Sequence, residues 1–578
     1  MLNTGRQSCN DEIINKRVRQ LAIRAAFALM FCSFCSIGAF AETIRIEAEN
    51  AALSLSSGGT SPAQIVSDPS CSGGKYVDTR DGNLTFSFTV AEAGYYAVTA
   101  KTKSPYGDKI NTFQFDSDNT KDVSFPQNNT FTEVPIVDSY YFSSGAHQIK
   151  MIRNWGWIQF DYLEISPANA KPIEFDIQPL VTPQPSESAA KLYQFLLDNF
   201  QHKIISGVMT LKSLATVAGS EQNEISWLFE KTGKKPALLG LDFMDYAGAI
   251  QPDWINNPDN MKDAIAWKNN NGIVAFCWHW RDPSHKTPAF YTSDTDFDPR
   301  QIFDPNSDGY KAMMRDMDII AGYLKELQAA GVPVLWRPLH EASGGWFWWG
   351  SQGPSAFKKI WQVMFDKFTN DYQLNNLIWV YTSDISDNAL DWYPGDAYVD
   401  IIGMDIYDQG NHGSQMLSFE ELNKMYNGKK LLTLAECGSI PSMAAMKRDN
   451  AIWSYYMPWY GDFTKNSDWN AVNDWANSLS DPDVISLDDM PATIYSSLAS
   501  PDSNKFFVGS AHGKVNIQTT SPWEYQVYLY GLAGRLCLTK KGLSGNQIFS
   551  IPCLNQACYL LAIENKEQRT CYKIQINP

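Results

Sequence analysis

The sequence predicts a central (β/α)8 barrel of the TIM type, flanked by an N-terminal β-sandwich and a small C-terminal all-β domain. Three observations predict it. The chain has 578 residues, too many for one hydrophobic core, so about two to four domains are expected. Residues 42–168 alternate apolar and polar side chains in short runs broken by Gly, Asn, Asp and Ser. From residue 186 the pattern changes to apolar runs alternating with amphipathic stretches of helical spacing, and it changes back near residue 500.

Residues 1–41 read as a targeting segment. Lys16, Arg17, Arg19 and Arg24 precede the apolar run Ala25–Ala41, which ends on the small-x-small triplet Ala39-Phe40-Ala41. The run is shorter than the ~20 residues of a spanning helix, so a signal peptide cleaved near Ala41 is predicted, with a secreted or cell-surface product and no stable membrane insertion. The stretch "LMFC" lacks the small residues that precede a lipidated cysteine. A net charge of −16 disfavours nucleic acid and anionic membrane surfaces, because a phosphate binder needs a basic face.

In 42–168 the runs "TIRIEAE", "LTFSFTV", "GYYAVTAKT", "FTEVPIV", "HQIKMIR" and "WIQFDYLEI" predict the strands of the sandwich. Residues 169–185, with Pro179, Pro183 and Pro185, predict a semi-stiff linker. The barrel, 186–500, opens on "SAAKLYQFLLDNF", with Leu192, Phe195, Leu196 and Phe200 at helical spacing. Eight strands follow: "KIISGVM", "PALLGLDF", "GIVAFCWHW", "PVLWRPLHE", "NLIWVYTS", "DIIGMDIY", "KLLTLAECG" and "SYYMPWYG". Such near-continuous apolar runs suit parallel strands buried on both faces. Residues 501–578 return to short strands. Cys537, Cys553, Cys558 and Cys571 crowd this last segment and predict one or two disulfides in an oxidising compartment, with the pairing left open. No C-x2-C pair or nearby His supports a zinc site.

A barrel of this kind does its chemistry at the C-terminal ends of its strands. Those ends carry Asp242, His279, Arg337, His340, Glu341, Asp405, Tyr407, Glu436 and Trp459. Glu341 ends the fourth run and Glu436 the seventh, facing each other across the barrel mouth. Two such carboxyls are the minimum for glycoside hydrolysis, one protonated and one ionised. Trp346, Phe347 and Trp348 would desolvate Glu341 and raise its pKa, whereas Arg337, His340 and Tyr407 would keep Glu436 ionised. The 19 Trp and 27 Tyr of the chain exceed what cores need and suit polyhydroxy ligands, which stack on flat rings. Asp242 and Asp245 read as loop caps, Trp348 and Trp349 as packing, and Cys437 as a small packing residue.

"WRPLHEASGGWFWWG" resembles the acid/base motif of glycoside hydrolase family 26, mostly endo-β-1,4-mannanases, and "LTLAECGSIP" resembles its nucleophile strand. "ISGVMT", "LLGLDFMDY", "GIVAFCWHWRDP", "IIGMDIYD" and "YYMPWYGDF" are similar to the family's other strand ends, in the same order. The resemblance spans roughly 186–500. It implies that Glu341 is the general acid/base and Glu436 the nucleophile of a retaining β-mannanase acting on mannan, glucomannan or galactomannan, with no cofactor for catalysis. It implies that Arg337 and Tyr407 orient the nucleophile and that His340 holds the nucleophile or the substrate. His279, Trp346, Asp405 and Trp459 would line the sugar sites. Other β-glycans, a β-1,3-1,4-glucan or a β-1,3-xylan, remain alternatives, as does a non-catalytic surface glycan-binding protein.

The N-terminal motifs "IRIEAEN" and "NWGWIQFDYLEI" resemble carbohydrate-binding modules of families 35 and 6. That resemblance implies a structural calcium ion held by Glu47, Glu49 and Asp161, and sugar binding by Asn154 and Trp155. At the other end, "KVNIQT", "YQVYLYGLAGRLCLT" and "CYKIQI" resemble the sorting domain of type IX secretion cargo. This implies engagement of a secretion machinery, although four cysteines depart from that pattern.

Overall fold

The computed structural model describes residues 42–116, 119–168, 174–215, 222–248, 259–492 and, in shorter stretches, 494–575. The expected signal peptide, 1–41, lies outside the described residues. Among these residues no helix is long and apolar enough to cross a membrane.

The barrel strands are Ile204–Met209, Leu238–Asp242, Ile273–Trp278, Val334–Pro338, Leu377–Thr382, Ile401–Ile406, Leu431–Cys437 and Tyr455–Pro458. All neighbours run parallel. The first strand pairs with the second at Gly207–Leu238 and with the eighth at Ile205–Tyr455, which closes the ring. Every residue of the first and third strands is buried, which is why they read as continuous apolar runs rather than alternations. The helix Asp308–Ala329 begins at Ser307, whose hydroxyl accepts the Tyr310 amide at 3.0 Å. It turns Met313, Met317, Ile320, Ala321, Leu324 and Leu327 inward at three- and four-residue spacing.

The N-terminal unit is a sandwich of two antiparallel sheets. One contains Ile44–Glu47, Gln64–Ser67, Lys75–Asp78, Gly94–Lys103, Thr132–Phe142 and Gln159–Pro167; the other contains Ala52–Leu55, Gly82–Val90, Lys109–Phe115, Asn119–Phe125 and Gly145–Trp155. Tyr96, Val98 and Ala100 show the inward period of two on one strand. Ala52–Leu55 is exposed throughout, so the alternation of Leu53 and Leu55 with Ser54 marks no buried face there.

The segment expected to be a spacer is instead a strap. Over 174–185 it lies across the N-terminal ends of the barrel strands. The Asp176 and Gln178 amides donate to the carbonyls of Gly428 and Lys429, at 2.9 and 3.0 Å. The Val181 amide donates to Asp400 Oδ1 at 2.7 Å, and the Thr182 hydroxyl donates to the Leu377 carbonyl at 2.8 Å. Phe175 packs edge-on against Phe200 with centroids 4.8 Å apart. The three prolines limit the unfolded ensemble, while the intervening amides supply the bonds. The sandwich also touches the barrel directly. Tyr95 Oη donates to Glu420 Oε1 at 3.1 Å, and Asp116 lies between His147, at 3.0 Å, and Arg448, at 3.8 Å.

The C-terminal domain has a three-stranded sheet, Phe506–Ala511, Lys514–Thr519 and Gln547–Ser550, and a four-stranded one, Tyr525–Gly531, Leu536–Leu543, Cys558–Glu564 and Arg569–Gln575. Val515 and Ile517 of the first share a core with Val527, Leu529, Leu561 and Ile563 of the second. Cys537 and Cys571 carry free thiols on the two outer strands of the larger sheet. With two strands between them they cannot meet, so the expected disulfide is not one they form. The side chains of Cys553 and Cys558 lie outside the described residues.

Candidate active site

The strand ends converge on one constellation. Arg337, on the fourth strand, reaches across the mouth and donates Nη1 to Thr382 Oγ1 at 2.9 Å and to Asp405 Oδ2 at 3.0 Å, and Nη2 to Glu436 Oε1. Tyr407, just past the sixth strand, donates its hydroxyl to Glu436 Oε2 at 2.5 Å. Both oxygens of Glu436 therefore have donors. The pairing register between the sixth and seventh strands slips by one between Met404 and Asp405, so Asp405 stands opposite Glu436 and Ala435 is skipped. A bulge of this kind re-aims a side chain, and here it turns Glu436 toward Arg337.

Glu341 does not end the fourth strand, as the sequence suggested. The strand stops at Pro338, and Glu341 follows on a tight turn that starts the short 3-10 segment Ala342–Gly344. Leu339 and Glu341 both have φ of 53°, the left-handed region that costs a non-glycine residue about 1–2 kcal/mol. His340 between them is fixed from two sides. Its carbonyl accepts Trp349 Nε1 at 2.8 Å, and its Nε2 lies 3.2 Å from His279 Nε2. Trp346 folds back over Gly344 and donates Nε1 to Glu341 Oε2 at 3.0 Å. A methyl group at Gly344 would lie 1.8 Å from the indole, so glycine is required for that approach. Phe347 packs on the rings of His279 and His340. Trp348 does not wall the acid, as expected of it; it is fully buried behind the loop, its indole on the Trp280 carbonyl at 2.6 Å.

One oxygen each from Glu341, Asp405 and Glu436 lie within 4.8 Å of one another. Burial first, and the Glu436 charge second, push the Glu341 carboxyl above the ordinary range. Burial likewise holds Asp405 well above its ordinary value despite the Arg337 guanidinium, and Asp405 Oδ1 is buried without a partner. Burial drives the Tyr407 phenol far up, helped by the Glu436 charge, so Tyr407 remains a donor. Burial and then Arg337 depress His340 well below its usual value, so it is neutral. The result is a cleft with one carboxyl poised to hold a proton, one held by two donors, and aromatic walls.

All seven side chains expected to bind substrate line or back this cleft. Trp459, just past the eighth strand, packs near His279 with centroids 5.6 Å apart, and Trp346 and Tyr407 remain 45% and 40% exposed. Sequence reasoning missed Tyr291, which is exposed and stacks on Phe347 at 5.2 Å. No spacing rule flagged it, because it sits on a loop brought in by the Tyr291–Phe347 bridge. It also left Asp242 out of the site: the residue, wholly buried at the end of the second strand, accepts the Met244 amide as a loop cap does, and its other oxygen holds His279.

On the sandwich, Trp155 is 72% exposed and borders a hollow of about 320 Å³ with Tyr106, Lys109, Arg153, Asn154 and Trp157. Asn154 Nδ2 is tied to Thr112 Oγ1 at 3.3 Å, and Trp157 Nε1 donates to Asp81 at 3.0 Å. Elsewhere in the same domain Glu47 Oε2, Glu49 Oε2 and Asp161 Oδ2 are buried without hydrogen-bond partners. Burial leads in raising Asp161, and the two glutamate charges add to it. Lys101 Nζ stands 3.9 Å from Asp161 Oδ2; carboxylate oxygens without hydrogen bonds are a donor set that fits a hard cation. Their ligand oxygens do not all lie within 4.8 Å of one another.

A family model described as glycosyl hydrolase family 26 matches residues 181–489, and one for carbohydrate binding module family 35 matches 44–168. A mannan endo-1,4-beta-mannosidase of Thermothelomyces thermophilus is 32% identical over 425 residues, covering 72% of this chain and 84% of the relative. Mannan endo-1,4-beta-mannosidase B of Piromyces sp. is 32% identical, covering 80% of each. Among solved structures, a GH26-CBM35 beta-(1,4)-mannanase of Podospora anserina is 34% identical with a TM-score of 0.55, covering 78% of this chain and 99% of that one. A beta-mannanase from a symbiotic protist of the termite Reticulitermes speratus, complexed with a gluco-manno-oligosaccharide, is 43% identical with a TM-score of 0.51, covering 55% and 99%.

Proposed function

The chain belongs to glycosyl hydrolase family 26, and from that premise we propose that it is a retaining endo-β-1,4-mannanase acting on mannan, glucomannan or galactomannan. The observation that carries the mechanism is the approach of Glu341 and Glu436 carboxyl oxygens to within 4.8 Å. Retaining glycosidases hold their carboxyl groups about 5–5.5 Å apart, whereas inverting ones leave about 6.5–9.5 Å for a water. Glu436 attacks the anomeric carbon while Glu341 gives its proton to the departing glycosidic oxygen. The C–O bond to the leaving sugar breaks as the bond to Glu436 forms. Glu341, now a carboxylate, takes a proton from water, which attacks the same carbon and releases Glu436. Arg337 and Tyr407 orient Glu436, and Asp405 holds Arg337 in place through Oδ2.

The relatives named for mannan support the substrate class. The test is a hydrolysis panel of galactomannan, glucomannan, mixed-linkage glucan and xylans, with NMR of the first-formed product. Turnover greatest on the mannans with initial β-anomer is expected; preference for mixed-linkage glucan or xylan, or an initial α-anomer, would overturn the proposal.

The sandwich serves as the carbohydrate-binding module, with Trp155 as its stacking platform. Trp155→Ala should weaken retention on insoluble mannan by at least ~5-fold, since a stacked aromatic contributes about 1 kcal/mol or more, and leave turnover of soluble oligosaccharides unchanged. Unaltered retention would remove Trp155 from the role. Glu47, Glu49 and Asp161 would hold a structural calcium ion, and an unfolding midpoint indifferent to chelator would reject that. Export is supported by the sequence of residues 1–41, and sorting by the layout of 501–578. Sequencing the mature N- and C-termini from culture medium tests both.

A further inference from the structure

Asp242, His279 and His340 form a buried chain that ends one residue before the general acid Glu341. Asp242 is fully buried, and its two oxygens have separate tasks. Oδ1 accepts the backbone amides of Met244 and His279, at 2.9 and 3.0 Å; Oδ2 takes the His279 ring at Nδ1, at 2.6 Å. The other nitrogen of His279 faces His340 Nε2 at 3.2 Å. His340 Nδ1 is buried and has no partner.

A hydrogen inventory then fixes both tautomers. The Asp242 carboxylate only accepts, so His279 carries its proton on Nδ1. A single proton lies between the two Nε2 atoms. Placed on His340, it leaves His340 Nδ1 bare, and no buried donor goes unsatisfied. Placed on His279, it adds a second proton and makes that ring an imidazolium, and the neutral His340 must then carry its own proton on Nδ1, where nothing accepts it; such orphaned donors are avoided. His340 is therefore the donor and His279 the acceptor. This bond and the Trp349–carbonyl bond anchor His340 at the middle of the turn that carries Leu339 and Glu341 in left-handed conformations.

We propose that Asp242 is a positioning residue for the general acid: by fixing the tautomer of His279 it makes His340 the donor, and so holds the strained turn that presents Glu341 to the glycosidic oxygen. This rests on the assignment of Glu341 as the acid.

Asp242→Asn tests it with the change of one atom. The amide oxygen can keep both backbone bonds, which leaves the NH2 group facing His279 Nδ1. The His279 proton must then move to Nε2, and that of His340 to the unpartnered Nδ1. On mannopentaose, kcat should fall about 10- to 100-fold, part of the 10²–10⁴ that general acid catalysis supplies, with KM little changed. On a dinitrophenyl β-mannobioside, whose leaving group needs no proton, kcat/KM should stay within about 3-fold. Equal loss on both substrates, or no loss on either, overturns the proposal. Imidazole 15N shifts give a reading on the unmodified protein. Protonated Nδ1 on His279 with bare Nδ1 on His340 is expected, and the opposite pattern on His340 overturns the proposal even if the variant fails to fold. Glu341→Ala on the same two substrates separates the premise: equal loss there removes the acid assignment, while the 15N result still decides the tautomers.

Discussion

Glu436→Ala is expected to lose turnover by about 10⁵-fold or more, on polysaccharide and on activated aryl mannosides alike, the scale seen when a nucleophile is removed. The equality across substrates follows from the mechanism. Without the carboxylate no glycosyl-enzyme forms, and the quality of the leaving group cannot replace the missing bond. Truncation opens a space below the anomeric carbon, next to Arg337 and Tyr407, which donate to Glu436 in the intact protein. Azide entering that space would attack the carbon from the nucleophile's face and expel the aryl oxide, giving the α-mannosyl azide. Arg337 keeps Asp405 and Thr382 as partners, so the variant should fold, which thermal denaturation checks. Activity near wild type, or a β-configured azide product, would place the nucleophile elsewhere.

Much of this site was legible because a parallel barrel writes its chemistry in one place. Each strand must be buried on both faces, so a polar residue at the end of an apolar run stands out, as Arg337, Asp405 and Glu436 do. What could not be read is what depends on register, turns and tertiary docking. The bulge beside Glu436 involves only ordinary strand residues, and nothing in "LTLAEC" announces that Ala435 is skipped. The left-handed turn at Leu339 and Glu341 lacks glycine at either position; it exists because buried partners hold it. Asp242 resembles any carboxylate at a strand end until His279 is placed 2.6 Å away. Prolines in 169–185 signal restricted backbone but not contact, so the strap read as a spacer. At the rear of the barrel, Asp400 accepts from Val181 and Trp379, bonds that only the folded barrel brings together.

Glu341→Ala should behave differently from the nucleophile variant, and the difference separates the two roles. On mannan the leaving sugar hydroxyl needs a proton, so kcat/KM should fall by roughly 10²–10⁴-fold. A dinitrophenyl mannobioside leaves unaided, so its first step should survive. The second step then lacks its base, and the glycosyl-enzyme should accumulate as a burst of dinitrophenolate and a mass increase on the peptide containing Glu436. Azide should discharge it to the β-mannosyl azide, retained where the Glu436 variant inverts. The pH dependence follows from the causes that raise Glu341, burial first and the Glu436 charge second. The acid works while protonated, so activity is held to a pH above the ordinary glutamate range and lost as pH rises through the raised value. Glu436→Gln removes the second cause, and Glu341 should titrate lower in that variant, as 13C NMR of the labelled carboxyl would measure. In Glu341→Ala the alkaline limb should flatten. A limb that persists there unchanged would belong to another group, and the carboxyl beside Trp346 would not be the acid.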